Sequence, residues 1–144
     1  MKKRWILLAV IACMLLTSIS AFAYGGEFQF VFFDQNSKEP DYGERIMTKA
    51  ADGDLYGYIT VKSGNQGYET NLLLNNAYVY FRIRNADRSY ATEYCTISKY
   101  VMDVTQRVKY LSSDAGYAAR NYYLYGNVAT TNSYPVIAAG TWCP

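Results

Sequence analysis

Histidine is absent from this 144-residue chain, and that absence removes more chemistry than any other. Without an imidazole there is no Ser-His-Asp or Cys-His pair, because those nucleophiles need an adjacent base. Imidazole zinc sites are excluded too, and Cys95 and Cys143, the two cysteines beyond the N-terminal region, cannot form a four-thiolate cage. No glycine-rich loop has the spacing that cradles a phosphate, so nucleotide chemistry has no support. A large excess of charge of either sign is also lacking. After Ala23 there are eleven basic against twelve acidic residues, a net charge of −1. The strongly basic footprint of a nucleic-acid binder is missing, and nucleic acid is not expected as a partner. Finally, the apolar run Trp5 to Leu16 is too short to span a bilayer, which takes about 20 residues.

That run belongs to a three-part pattern. Lys2, Lys3 and Arg4 precede it and Ala21-Phe22-Ala23 follows it, the order of a secretory signal peptide with a small-residue cleavage site. The pattern predicts cleavage after Ala23, a mature chain from Tyr24, no transmembrane anchor after cleavage, and an extracellular location. An alternative reading uses Val10-Ile11-Ala12-Cys13 as a lipobox, with Cys13 lipidated. Against it, Met14-Leu15-Leu16 continues the apolar run where a lipoprotein turns polar.

Residues 24–144 fit one domain by length. Clusters of Gly, Asn and Asp punctuate the chain at short intervals, and apolar residues alternate between them, the rhythm of an all-β sandwich or barrel. Glu27 to Phe33 alternates with Phe28, Phe30 and Phe32 on one face. A polar loop containing Pro40 follows. Arg45 to Ala51 and Leu55 to Lys62 flank Asp52-Gly53 and read as a hairpin. Ser63 to Asn76 is a long connection whose Leu72-Leu73-Leu74 should find an apolar surface. Ala77 to Arg84 gives the cleanest alternation, with Ala77, Val79, Phe81 and Ile83 against Tyr78, Tyr80, Arg82 and Arg84. Tyr90 to Val101 and Val104 to Leu111 read as one bent strand or two, and Asp114 to Ala119 as a helical turn. Asn121 to Val128 and Pro135 to Trp142 read as a final hairpin around Thr130 to Ser133. Seven or eight strands in one layer would leave too much apolar surface, so the expectation is two packed antiparallel sheets, immunoglobulin-like or similar.

Cys95 and Cys143 form an even pair in an exported chain, the setting of a disulfide. A bridge between them would stabilise the fold by about 4 kcal/mol in the chain-entropy model. Asp52 and Asp54 are the nearest paired carboxylates, and paired carboxylates can run acid-base chemistry on glycosides. Their spacing places them at a turn tip. As a calcium candidate they lack the spaced third ligand and the distal Glu of a helix-loop-helix site. No metal or other cofactor is therefore expected, and no catalytic residue is assigned. Acidic residues gather from Glu27 to Asp54, leaving the positive excess to the remainder.

Tyrosine is the compositional outlier, with 16 residues. Its flat ring and polar tip suit contact surfaces at low entropy cost. Tyr78, Tyr80, Arg82 and Arg84 project from one face of one strand, where rings could stack on sugars or peptide aromatics and guanidinium groups could pair with anions of a cell wall.

The C-terminal half adds a pattern of positions: Asp103-Val104-Thr105, Tyr110, Asn121-Tyr122-Tyr123-Leu124-Tyr125-Gly126-Asn127, Tyr134 and the ending Gly140-Thr141-Trp142-Cys143-Pro144. It resembles small exported β-sandwich proteins of Gram-positive bacteria classed as a domain of unknown function. The resemblance implies export and a sandwich, and brings no activity or functional residues with it. The expected function is that of a binding module at the bacterial surface, monomeric, not an enzyme, with a cell-wall glycan or a surface protein as partner. The alternative is a secreted, bacteriocin-like antagonist of neighbouring cells. Gly140-Thr141-Trp142 lies at the end of the chain, however, whereas the comparable motif of one secreted bacteriocin family lies near the mature N-terminus.

Overall fold

The computed structural model of the chain describes residues 25–34, 46–64, 67–116 and 119–144. The expected leader at 1–23, Cys13 within it, the start at Tyr24 and the loop segment containing Pro40 lie outside the described residues. Eight strands follow in order: β1 (Gly26–Phe32), β2 (Ile46–Lys49), β3 (Tyr56–Val61), β4 (Tyr78–Asn85), β5 (Cys95–Ser98), β6 (Gln106–Lys109), β7 (Arg120–Thr130) and β8 (Val136–Cys143). A short helix, α1 (Leu72–Asn75), lies between β3 and β4, and a 3-10 turn occupies Ser113–Gly116.

The strands form two four-stranded antiparallel sheets, β1-β8-β3-β6 and β2-β7-β4-β5, so the chain is the all-β two-sheet sandwich expected from its alternation. Its connectivity has a simple origin. β1 pairs with β8, β2 with β7, β3 with β6 and β4 with β5. The chain is thus one long hairpin folded at 86–94, with both arms wound around the sandwich. Contacts β3–β8 and β4–β7 close the two sheets. This is the jelly-roll order, a double Greek key.

The winding corrects two local expectations. Asp52-Gly53 does make a tight turn, with Gly53 at φ 78° and the Asp52 carboxylate accepting from the Asp54 amide at 2.9 Å. Yet β2 and β3, which flank it, lie in opposite sheets and do not pair. Likewise β7 and β8 are separated across the sandwich and are not a hairpin. Among the described strands, only β4 and β5 are both consecutive and paired. Tyr90 to Leu111 resolves into two strands, β5 and β6, again in opposite sheets.

Why the sheets close is legible in the side chains. Phe28, Phe30 and Phe32 alternate inward from β1 and are fully buried, and Phe81 enters from β4 in the other sheet. Ring centroids lie 5.4 Å apart for Phe28–Phe81 and 5.7 Å for Phe30–Phe81, the latter stacked at 25°. Gly126 on β7 makes room: a Cβ there would lie 2.6 Å from a Phe30 ring carbon and 3.1 Å from one of Phe81. Ile59, Val61, Val79, Ile83, Ile97 and Trp142 complete the interior. Leu72 joins it from α1, whereas Leu73 and Leu74 are 62% and 83% exposed. One leucine of three finds the apolar surface expected for all, because a four-residue helix turns the next two away. The helix is held by hydrogen bonds from Asn71 and Asn75 side-chain amides to the Pro135 carbonyl, both 3.0 Å.

Filling the space over Gly126 tests this packing. Gly126→Ala is expected to lower stability by about 1–3 kcal/mol through overpacking, read as a shift of the urea midpoint; an unchanged midpoint would contradict the close contact with Phe30.

Candidate functional site

The inward parity of β4 fixes its outward parity. Because Val79, Phe81 and Ile83 are buried, Tyr78, Tyr80, Arg82 and Arg84 must face away from the core, as their spacing predicts. Tyr78 and Tyr80 are 37% and 36% exposed, and the two arginines are half-buried. Around them the structure gathers tyrosines that alternation within β4 could not reveal. The Arg82 guanidinium lies between Tyr94 and Tyr90, its central carbon 3.6 Å and 3.8 Å from the two ring centroids. Arg84 lies 3.7 Å over Tyr125 and 5.8 Å from Tyr90. Tyr80 continues the row against Tyr94 at 5.8 Å. The outcome is a ladder that alternates from Tyr94 onward: Tyr80, Tyr94, Arg82, Tyr90, Arg84, Tyr125.

A turn makes the ladder. After β4, Arg88 adopts φ 65° and donates its amide to the Asn85 carbonyl at 2.9 Å, while Asn85 donates to Ser89 at 3.0 Å. The Asp87 carboxylate accepts from the Ser89 amide and hydroxyl at 2.9 and 2.6 Å, and those two bonds hold it below the usual carboxylate range. The chain therefore reverses tightly, and an isolated bridge pairs Tyr90 with Arg84. Tyr90 and Tyr94 are laid back over the arginines. Tyr125 arrives from β7 opposite Arg82 in the register, and Asn127 from the same strand opposite Tyr80.

Electrostatically this face is unusual. Cation–π contacts contribute about 0.5–1 kcal/mol each at exposed sites and about 2 kcal/mol where desolvated, and with Tyr90 and Tyr94 58% and 44% exposed the lower figure applies. Arg82 has no carboxylate partner among the described residues. Its Nε and the Oδ1 of Asn127 are buried without hydrogen-bond partners. Each such atom costs about 1–3 kcal/mol, and both sit on this one outer face. The arrangement offers aromatic faces, a pre-oriented fork of donors and an unused acceptor.

Asp52 and Asp54, the sequence's calcium candidates, are engaged otherwise. Lys49, the last residue of β2, points inward and is 1% exposed. Its ammonium lies 3.0 Å from Asp52 Oδ1 and 5.9 Å from the Tyr110 ring centroid. Asp54 accepts from the Tyr56 amide at 3.0 Å and the Tyr58 hydroxyl at 2.8 Å. A lysine ammonium thus occupies the position a cation would take, and no set of three His, Cys, Asp or Glu residues able to hold a metal is assembled among the described residues. Burial pushes the Asp52 carboxyl up, but the Asp54 amide, the Lys49 hydrogen bond and the Lys49 charge together bring it below its ordinary value. Burial pushes the nearby Tyr110 phenol well above its ordinary value.

The cysteine pairing is corrected outright: both thiols are free. Cys95 pairs with inward-facing Phe81 and packs on the core. Cys143 follows buried Trp142 and pairs with Tyr58, so it lies on the outer face of the other sheet. The two sulfurs stand on opposite sides of that sheet, which a disulfide cannot cross. Burial raises the Cys95 thiol to about 11 and also raises Cys143.

No protein-family model, no curated protein and no solved structure matches the chain.

Two outcomes are expected. Lys49→Met should leave stability within about 1 kcal/mol or raise it, whereas Asp52→Asn should lower it by about 1–3 kcal/mol by stranding a buried ammonium. Because the folded-state pKa of Asp52 is depressed, its contribution is present above the unfolded value near about 3.9 and lost as pH falls through the folded value; a pH series of denaturation curves should show a steeper acid loss in the wild type than in Asp52→Asn. Second, reductant should not change the mass of the folded protein, and Cys95 should react with a thiol reagent only after denaturation; fast native labelling of Cys95 would contradict its burial.

Proposed function

We propose that the protein is a non-catalytic binding module working outside the cytoplasmic membrane, holding a glycan of the bacterial cell envelope against the outer face of the β2-β7-β4-β5 sheet. The observation that carries this reading is the guanidinium of Arg82 clamped between Tyr90 and Tyr94 beside exposed Tyr78 and Tyr80. Aromatic rings present flat, rigid surfaces suited to the apolar faces of sugar rings, and their ordering entropy has already been lost in the ladder. The outward residues of β4 recur about every 6.6 Å, a spacing along which an extended polymer can lie. The leader pattern of the sequence supports export to the compartment where such polymers are found, and the absence of histidine from the chain supports binding without turnover.

Replacing Tyr78 and Tyr80 together by alanine is expected to weaken co-sedimentation with purified cell-wall material at least about tenfold, the loss of one or two stacked rings at roughly 1–1.5 kcal/mol apiece. Undiminished binding by a variant that still folds would sink the proposal.

A further inference from the structure

We propose that this face contains a subsite for a sugar that bears a carboxylate, built from Tyr80, Arg82 and Asn127; the inference rests on the binding-module reading and names its ligand. Three observations converge. The register sets Asn127 directly across from Tyr80 and sets Tyr125 across from Arg82, which makes Asn127 the diagonal neighbour of Arg82, within reach of a long side chain. Asn127 contributes an acceptor, Oδ1, and Arg82 a donor, Nε, and neither has a partner. Tyr80 stays partly exposed next to them, with Thr96 on its other side in the register.

An unused acceptor and an unused cationic donor on diagonally neighbouring residues select for a ligand carrying the opposite pair. A hydroxyl supplies the donor for Asn127, and an anionic oxygen supplies the acceptor for Arg82. A uronic acid carries both on one ring, with an apolar ring face to lie on Tyr80. A neutral sugar satisfies Asn127 but leaves Arg82 uncompensated. Arg82 is suited to the anion for a further reason: Tyr90 and Tyr94 cover its two flat faces, so the guanidinium has already shed water there, and only its edge remains to form the paired hydrogen bonds typical of a carboxylate. Because Nε is buried in the free face, its contact with a ligand requires Tyr90, the more exposed of the two rings, to turn aside. Tyr90 and Tyr94 act as positioning residues, and Arg82 touches the ligand.

The test is calorimetry on the full exported chain with three probes: tri-galacturonate, the neutral tri-galactoside and a short poly(glycerol phosphate). Tri-galacturonate should bind at least about tenfold tighter than the neutral trimer, and that difference should shrink as salt is raised. Arg82→Gln should erase the difference while leaving weak binding of the neutral trimer. Arg82→Lys, which keeps the charge without the fork, should retain only part of it, and this variant carries the test if Arg82→Gln does not fold. Asn127→Asp should weaken tri-galacturonate more than the neutral trimer. Equal affinity for charged and neutral trimers, or binding of the phosphate polymer in preference to the uronate, overturns the subsite. If the subsite fails while Tyr78→Ala with Tyr80→Ala still abolishes cell-wall binding, the module reading stands alone; if wall material never binds, that reading falls first.

Discussion

Everything outside the core depends on the contact of Phe28 and Phe30 in one sheet with Phe81 in the other, made over the bare backbone of Gly126. Large rings from two sheets must interdigitate at a separation of about 10 Å, and a missing side chain on β7 lets them do so. Once Phe81 is committed inward, each side chain of β4 is committed too, because strand periodicity is two and a slip of one residue would exchange the faces. The tyrosine–arginine face is therefore a by-product of core packing. Its tyrosines and arginines point outward because phenylalanine, valine and isoleucine point in.

Two cations show how the same fold handles charge in opposite ways. Lys49 is taken inside, where a compact ammonium needs a carboxylate, and the crossing turn brings Asp52 to it. Arg82 and Arg84 stay on the outer face, where the flat guanidinium is covered by rings. A lysine could not take the second role, since it has no planar face to stack, nor could an arginine be held by one Asp52 oxygen without leaving donors unpaired. The acidic bias between Glu27 and Asp54 thus gains one concrete use, in closing an end of the sandwich around Lys49.

What the sequence revealed and what it hid follow from range. Parity within a strand is local, so the faces of β1 and β4, and with them Tyr78, Tyr80, Arg82 and Arg84, were legible from alternation, and the number of strands implied two sheets. Partner choice is not local. Asp52-Gly53 has the same turn chemistry whether the strands beside it pair or part, and the difference lies in residues far along the chain, with β7 claiming β2 and with β8 and β6 claiming β3. For the same reason Tyr90, Tyr94, Tyr125 and Asn127 could not be assigned to the face before the register was known. The cysteine pairing failed on parity as well: Cys143 follows Trp142, which the core demands, and so the thiol is turned out of the sandwich. The alternation of the last strand carries that signal, since Trp142 inward places Cys143 outward.

The pairing of the first strand with the last has a consequence for how the domain is displayed. Gly26 stands opposite Trp142, so the strand that opens the fold and the strand that closes it meet at one end of the sandwich. β4 runs lengthwise away from that end, with Arg84 nearer to it and Tyr78 farther off. A label or fused domain attached ahead of Gly25 would therefore sit at the Arg84 end of the tyrosine–arginine row and leave its Tyr78 end clear.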